Sequence, residues 1–263
     1  AWATATSNYN IGIGSQVLDA AMNGATYNIG IGYVALTDLT TGDYNIGIGG
    51  GAGTNITTGH SNIQLGQDAG STMTDTDATI LIGYHAGYAI NHSDADGTIA
   101  VGHNALKALT SGQKNTAVGY EAGKATAEAD YNTAIGHQSL LKFGDDGASD
   151  HSSFNTSLGY LAMGGGHDTV ASNTGYKNVG IGTYALGGST GTSDAITAHS
   201  NVAIGHVAMK LATTASNNVV IGRDAGDAMT TAPGNVAIGK SALGAVNTGD
   251  YNTAVGYQAG DAL

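Results

Sequence analysis

The stretch Asn252-Thr253-Ala254-Val255-Gly256-Tyr257-Gln258-Ala259-Gly260 decides the fold, because the chain repeats its pattern almost from end to end. The pattern begins with Asn, alternates small and β-branched residues up to a glycine, and ends three or four residues later at Ala followed by Gly, Leu or Met. We call the central glycine the marker glycine. It occurs fourteen times, at Gly14, Gly32, Gly49, Gly66, Gly83, Gly102, Gly119, Gly136, Gly159, Gly182, Gly205, Gly222, Gly239 and Gly256.

The spacing of the marker glycines indicates the architecture. Successive intervals are 18, 17, 17, 17, 19, 17, 17, 23, 23, 23, 17, 17 and 17 residues. A period this short excludes helical-hairpin repeats of roughly 33 residues and propeller blades of about 40. It is typical of one turn of a β-solenoid. We therefore predict an all-β parallel β-solenoid (β-roll) of about 14 coils, with period 17 and three coils of 23 residues.

The residues inside the pattern predict short strands. In Asn45-Ile46-Gly47-Ile48-Gly49, β-branched residues alternate with small ones, which is a strand signal. We expect the β-branched side chains to fill each coil, and the small Asn, Ala and Gly face to admit a neighbouring chain. A second short strand or corner is expected at the later Ala, as at Ala35-Leu36. A second apolar column follows the marker glycine by seven residues, at Leu39, Ile56, Met73, Ile90, Leu109, Phe143, Met229, Val246 and Leu263.

Composition excludes several classes of protein. Gly makes up 43 of 263 residues but Pro occurs once, so the chain is not collagen, and 41% hydrophobic residues are too many for a disordered chain. Eight Lys and Arg against a net charge of −12 argue against a nucleic-acid partner. With no Cys there are no disulfides or thiolate metal sites, and no apolar run reaches the ~18 residues of a membrane span.

The repeat predicts one domain that associates with copies of itself. Residues 1–263 are interpreted as a single solenoid, with a lead-in at 1–9, regular coils at 10–136, coils with six-residue insertions at 137–205, and regular coils at 206–263. The chain starts without Met and ends just after a repeat, so we expect a segment of a longer fibre. A lone, thin, Gly-rich coil would be marginal against the entropy of ordering. We therefore expect an intertwined or side-by-side homotrimer, with a monomeric solenoid as the alternative.

Two further columns have a structural and a functional interpretation. Asn recurs four residues before the marker glycine and predicts a hydrogen-bonded ladder between coils, although a row of ligand-binding amides is the alternative. Aromatic residues before this Asn and after the marker glycine suggest stacking between coils, or a glycan-binding surface. The Asn column comprises Asn10, Asn28, Asn45, Asn62, Asn115, Asn132, Asn155, Asn178, Asn201, Asn218, Asn235 and Asn252, with Thr79 and Thr98 replacing Asn in two coils.

No catalytic pattern is found, and we expect a non-enzymatic protein without a cofactor. The Gly-x-Gly segments lie inside predicted strands and open no helix, so they do not predict dinucleotide binding. The nine His residues have no spacing that would build a metal site. Asp145, Asp146 and Asp150 are weak Ca²⁺ candidates, because they match no established calcium-binding loop.

The three long coils are the candidate binding region. Their extra residues must leave the solenoid as loops at one corner, and loops on a rigid scaffold are where binding residues concentrate. The alternative is a tolerated duplication without function. The residues that we expect to face a receptor are His151, His167, Asp168, Asp194 and His199.

The repeated phrases, such as Asn132-Thr133-Ala134-Ile135-Gly136, resemble two families that use similar repeats. One is the repeat region of phage tail fibres, and the other is the head of trimeric autotransporter adhesins, which is a trimeric left-handed parallel β-roll. The corner Thr40-Thr41-Gly42-Asp43-Tyr44-Asn45 is more similar to the phage type, and the adhesin heads have shorter coils.

The resemblance implies a structural fibre segment of a tail fibre or similar virion appendage that serves host attachment. A bacterial surface adhesin head or other extracellular fibre is the alternative, and a monomeric solenoid that binds carbohydrate or ice is a second one. The expected location is a virion appendage or a cell surface, and the expected partner is a host receptor, which could carry a glycan.

Overall fold

The computed structural model describes residues 7–142, 152–164, 174–187 and 196–261. Every coil contributes one three-residue strand followed by turns, and the chain forms two compact units, Ala1–Glu128 and Ala129–Leu263. The strands of the first unit are β1 (Ile11–Ile13), β2 (Ile29–Ile31), β3 (Ile46–Ile48), β4 (Ile63–Leu65), β5 (Ile80–Ile82), β6 (Ile99–Val101) and β7 (Thr116–Val118), with one short 3₁₀ turn at Ser93–Ala95. Those of the second are β8 (Thr133–Ile135), β9 (Thr156–Leu158), β10 (Val179–Ile181), β11 (Val202–Ile204), β12 (Val219–Ile221), β13 (Val236–Ile238) and β14 (Thr253–Val255).

Within each unit the strands pair in parallel and in sequence order, so each coil stacks on the next. Equivalent repeat positions are partners, as in Ile46 with Ile63. The three 23-residue coils keep this register, because Thr133 pairs with Thr156 and Thr156 in turn with Val179. The longer interval between marker glycines therefore does not shift the pairing register. The prediction of a parallel β-solenoid with 17-residue and 23-residue coils is confirmed.

The prediction of which side chains fill the coil is wrong. From β2 to β14 the central residue of each strand is buried, and the residues on either side are half-buried or exposed. In β3, Gly47 is buried and Ile48 is 38% exposed. The reason is lack of room: a Cβ on Gly47 would lie 2.8 Å from Leu36 Cγ and 3.1 Å from the carbonyl oxygen of Ala52. The Asn and Ala face consequently lines the interior.

Most of the bulky interior side chains come from the turns, with Leu81 at the centre of β5 as an exception. The predicted apolar column is buried at Leu39, Ile56, Met73, Ile90, Leu109, Met229 and Val246, while Phe143 and Leu263 lie outside the described residues. A second set, four residues after the marker glycine, includes the buried Leu18, Leu36, Leu140 and Met163. These side chains occupy the space that the small strand centres leave.

Left-handed backbone conformations form the corners, and of the two predicted alternatives at Ala35-Leu36, a short strand or a corner, the structure has the corner. Residues two and four positions after each marker glycine, and the residue before each ladder position, have positive φ. In one coil these are Val34 (φ 50°), Leu36 (φ 50°) and Tyr44 (φ 60°). Such values cost non-glycine residues of the order of 1 kcal/mol each, and they persist where packing over-determines them. Here the buried Leu36 side chain supplies that packing.

The marker glycines permit the close stacking of coils. Gly49 has φ 135°, and a Cβ there would lie 2.6 Å from the carbonyl oxygen of Gly66 in the next coil. The same clash recurs along each unit. Gly256 has φ 133° but a Cβ there would contact only Ala259 Cβ, at 3.9 Å. A side chain at either glycine would therefore have the same backbone strain, but only at Gly49 would it also clash with the backbone of the next coil.

Gly49→Ala is expected to lower the free energy of unfolding by at least about 3 kcal/mol, since it combines backbone strain with a clash against backbone. Gly256→Ala is the matched control and is expected to cost only the strain, roughly 1–3 kcal/mol. Denaturant unfolding followed by circular dichroism measures both. Equal losses in the two variants would contradict a role for the close approach.

Two buried strand centres are polar, Gln64 in β4 and Ser157 in β9, and the Ser157 hydroxyl is hydrogen-bonded to the Ser139 hydroxyl and to the carbonyl oxygen of Ala162. Gln64 in β4 is fully buried, and neither its Oε1 nor its Nε2 has a hydrogen-bond partner. Its register partner in β5 is Leu81, which is also fully buried. Burying an unsatisfied amide costs about 1–3 kcal/mol, so Gln64 is an unfavourable residue in this column.

Gln64→Leu is therefore expected to stabilise the chain by about 1–3 kcal/mol, by removing two unsatisfied polar atoms and keeping the side chain close to its size. Gln67→Leu, at an exposed position in the following turn, is the control and should change stability by less than about 0.5 kcal/mol. Thermal unfolding measures the change in stability of both variants. No gain from Gln64→Leu would show that the amide is satisfied in solution.

Candidate functional site

Within each unit, asparagines of the Asn column are joined from coil to coil by hydrogen bonds inside the solenoid. Asn28 Oδ1 accepts hydrogen bonds from both the backbone N–H (2.8 Å) and the Nδ2 (3.2 Å) of Asn45. The Nδ2 of Asn45 also donates to the carbonyl oxygen of Gly59 in the next corner, at 2.8 Å. Asn62 repeats the pattern, with Asn45 as its acceptor. Each amide thus joins three successive coils.

The ladder also continues through the long coils. Asn155 donates to Asn132 Oδ1, and Asn178 donates to Asn155 Oδ1, across 23 residues in each case. The buried members are Asn28, Asn45, Asn62, Asn115, Asn132, Asn155, Asn178, Asn201, Asn218 and Asn235, whereas Asn10 and Asn252 are half-buried. These amides face the interior and bond to the protein itself. A row of amides presented to a ligand is not what the structure contains.

Threonine replaces Asn in two coils and continues the ladder only in the first. Thr79 donates its backbone N–H (2.9 Å) and its Oγ1 (2.8 Å) to Asn62 Oδ1. Thr98 is fully buried, and its Oγ1 has no hydrogen-bond partner. Threonine is too short to reach the corner carbonyl that the asparagine Nδ2 binds, so these coils carry a weaker ladder.

The aromatic columns stack from coil to coil. Before the ladder position, the rings of Tyr9 and Tyr27 lie 4.8 Å apart and those of Tyr27 and Tyr44 lie 5.1 Å apart, nearly parallel. After the marker glycine, His103 is stacked between Tyr84 and Tyr120 at 5.1 and 5.2 Å. Ring faces within a stack are covered by neighbouring rings. A sugar could reach mainly the ring edges, so the geometry favours stacking over a glycan platform.

A second ladder runs along the corner two residues before the Asn column. The backbone N–H of Asp43 donates to His60 Nδ1 (2.9 Å), that of His60 to Asp77 Oδ1 (2.6 Å), and that of Asp77 to Asp96 Oδ1 (2.7 Å). Because Nδ1 of His60 accepts, it carries no proton in this arrangement. The ladder ties four coils together on the outside of the solenoid.

Burial raises the pKa of Asp96, and the negative charges of Asp77, Asp75 and Asp94 raise it further, against the hydrogen bond from Asp77 that lowers it. A carboxyl whose pKa is higher in the folded than in the unfolded state costs stability while it is ionised at neutral pH. That cost disappears as the pH falls through the folded pKa. Burial and the charge of Asp224 act in the same direction on the pKa of Asp227.

Most of the residues expected to bind a receptor or Ca²⁺ lie outside the described residues. These are Asp145, Asp146, Asp150, His151, His167, Asp168 and Asp194. His199 is described and half-buried: its ring stacks on Tyr176 at 4.8 Å, and its N–H donates to Ser216 Oγ at 3.2 Å. In residues 7–142, 152–164, 174–187 and 196–261, no group of three or more His, Asp or Glu side chains is placed to hold a metal ion. In the same part of the chain, no helix has the length and apolar character needed to cross a membrane.

The strands present an aliphatic outer face that the sequence analysis assigned to the interior. The first and third residues of the fourteen strands point outward, and of these 28 positions 24 are Ile, Val or Leu, four are Thr and none is charged. The exposed fraction reaches 58% at Ile13 in the first unit and 67% at Val255 in the second. The signal was present in the sequence: side chains alternate along a strand, so Asn and the strand centre share one side, and a buried Asn forces the flanking residues outward.

Comparison with known proteins gives no match to a family model, to a curated protein or to a solved structure.

Asn45→Ala is expected to destabilise the protein by about 3–5 kcal/mol, because it leaves the Asn62 amide and the Gly59 carbonyl without their partners in a buried site. Asn252→Ala is the control. Within the described residues the Asn252 side chain makes no hydrogen bond, so its loss should cost less than about 0.5 kcal/mol. Denaturant unfolding measures both, and a small loss at Asn45 would show that the ladder contributes little.

Proposed function

We propose that this chain is a non-enzymatic fibre segment whose outer strand face is covered by other copies of the same chain. The observation that carries the proposal is the uncharged aliphatic face described above, which is half-buried or exposed in a single chain. Aliphatic side chains on a solvated sheet face are unfavourable, because each Å² removed from water contributes about 25 cal/mol. A partner that covers the face removes this cost.

The size of the face fits an association surface. At roughly 4.8 Å between strands, the seven strands of one unit extend the face over about 30 Å. Two columns of side chains give an apolar patch of the order of 300 Å² in each unit, which is as large as the largest patch on a typical monomer. Scattered surface hydrophobics would need no explanation, but a continuous stripe of this kind does.

The charge distribution favours a copy of the same chain as the partner. The chain has net charge −12, so copies repel one another unless their contact avoids the charges. The aliphatic face has no charged residue. A second copy also carries the same residues at the same coil spacing, so its side chains can match the face coil by coil. The resemblance of the repeat to trimeric fibres favours three copies around one axis.

A fibre segment of this kind would serve attachment as part of a phage tail fibre or similar virion appendage. The corner sequence at 40–45 supports this choice over a bacterial surface adhesin head. Receptor contacts would lie in the long coils or in parts of the fibre beyond this segment. The Asn ladder and the marker glycines would act as the scaffold that keeps the coils, and hence the association face, regular.

The test is the mass of the purified chain in solution, measured by sedimentation equilibrium. The expected mass is three times 26.0 kDa. Ile48→Glu places a carboxylate on the aliphatic face and should raise the dissociation constant by at least about 100-fold, because burying an unpaired charge costs several kcal/mol.

Thr58→Glu, at an exposed corner away from the face, is the control and should leave the mass unchanged. Circular dichroism checks that both variants keep the fold. A wild-type chain that sediments at 26.0 kDa at all concentrations would overturn the proposal.

A further inference from the structure

Three exposed tyrosines stack in consecutive coils at one corner of the first unit. The rings of Tyr9, Tyr27 and Tyr44 are 73%, 47% and 57% exposed. Their centroids are 4.8 and 5.1 Å apart, with interplanar angles of 9° and 1°. Stacking alone needs no phenol groups. The phenol groups of these three stacked rings are exposed to solvent and therefore remain available for a chemical reaction.

The backbone holds these rings in register. Tyr9, Tyr27 and Tyr44 have nearly the same left-handed φ of 61°, 58° and 60°, so their side chains leave the corner in the same direction. The N–H of Tyr27 donates to the carbonyl of Asn8 at 3.2 Å, and that of Tyr44 to the carbonyl of Thr26 at 3.1 Å. Each tyrosine is followed directly by a member of the Asn ladder, which fixes the spacing of the coils.

We propose that this tyrosine column is a site of oxidative modification, at which a one-electron oxidant such as a peroxidase with hydrogen peroxide joins neighbouring coils through dityrosine. Tyr27 is the central residue and can couple to either neighbour. The proposal is independent of the attachment function. The product is an intrachain cross-link between residues 17 or 18 positions apart, which would lock adjacent coils together.

Each of two phenols loses one electron and one proton to give a phenoxyl radical, and the two electrons and two protons reduce one hydrogen peroxide to two water molecules. The radicals combine through a new C–C bond between the ring carbons ortho to oxygen. Each of these carbons then loses its hydrogen as a proton while the oxygen regains one, which restores both phenols. Holding the two rings about 5 Å apart raises the rate of this step over encounter in solution.

The other aromatic stacks provide natural comparisons. Tyr131 and Phe154 lie 5.0 Å apart at 6°, with the same placement before the ladder position, but Phe154 has no phenol. In the other column His103 separates Tyr84 from Tyr120, so no two tyrosines adjoin there. Tyr160 and Tyr184 adjoin edge to face, at 88°. Tyr251 also precedes a ladder position, but the coil before it has Gly234 at the equivalent position, so Tyr251 has no tyrosine there to couple with.

The experiment treats the full chain with a peroxidase and limiting hydrogen peroxide, and reads dityrosine fluorescence, migration on a denaturing gel and cross-linked peptides by mass spectrometry. The expected product migrates as a single chain, is lighter by two hydrogen atoms for each cross-link, and yields peptides that join Tyr27 to Tyr9 or Tyr44. It should also unfold at a higher temperature than the untreated chain.

Tyr27→Phe should abolish both cross-linked peptides, and Tyr120→Phe, in a stack without adjoining tyrosines, should leave them unchanged. Phe154→Tyr should create a new cross-link to Tyr131. These variants keep the stacked rings, so loss of fold does not confuse the result. The proposal is overturned if no intrachain cross-link to Tyr27 forms, if the dityrosine joins separate chains only, or if Tyr27→Phe retains the wild-type product.

Discussion

The buried asparagine ladder is the interaction on which the rest of the structure depends. Each amide satisfies the backbone and side chain of the next coil and the carbonyl of a corner, so a polar column can run through an apolar interior. An Asn without its neighbours would be a buried unsatisfied group and would oppose folding. The ladder is therefore cooperative, because the Asn of each coil has its hydrogen bonds satisfied only when the next coil is folded. Repetition of the coil consequently stabilises the chain. The marker glycines make it possible, because only a residue without Cβ lets adjacent backbones approach closely enough.

The ladder also determines which face of the strands is outside. Side chains alternate along a strand, so a buried Asn places the strand centre inside and the two flanking β-branched residues outside. The interior then receives its bulk from turn residues such as Leu36 and Leu39. The single chain is left with an aliphatic face on its surface. The proposed association through that face would link the fold to the proposed role as a fibre segment.

Much of the fold could be predicted from the sequence, because the marker glycines repeat at fixed intervals and the Asn column repeats with them. The face of the strands that points into the solenoid was predicted wrongly, because residues such as Ile46 and Ile48 were assigned to the interior on hydrophobicity alone. Neither the corner ladder of Asp43, His60 and Asp77 nor the left-handed φ at Val34 and Leu36 has a simple sequence signature, since bulky residues rarely adopt that conformation. The predicted loop residues other than His199 lie outside the described part of the chain, so their role stays a prediction.

The central claim is tested most directly by hydrogen exchange of asparagine side-chain amides, measured by NMR in D₂O. The account predicts that the Nδ2 protons of Asn28, Asn45 and Asn62 exchange as slowly as the backbone amides of the strands. The side-chain amide of Asn55, which is exposed, should exchange as fast as that of a free peptide. Fast exchange at all four residues, in a chain whose circular dichroism shows the fold intact, would contradict a buried ladder.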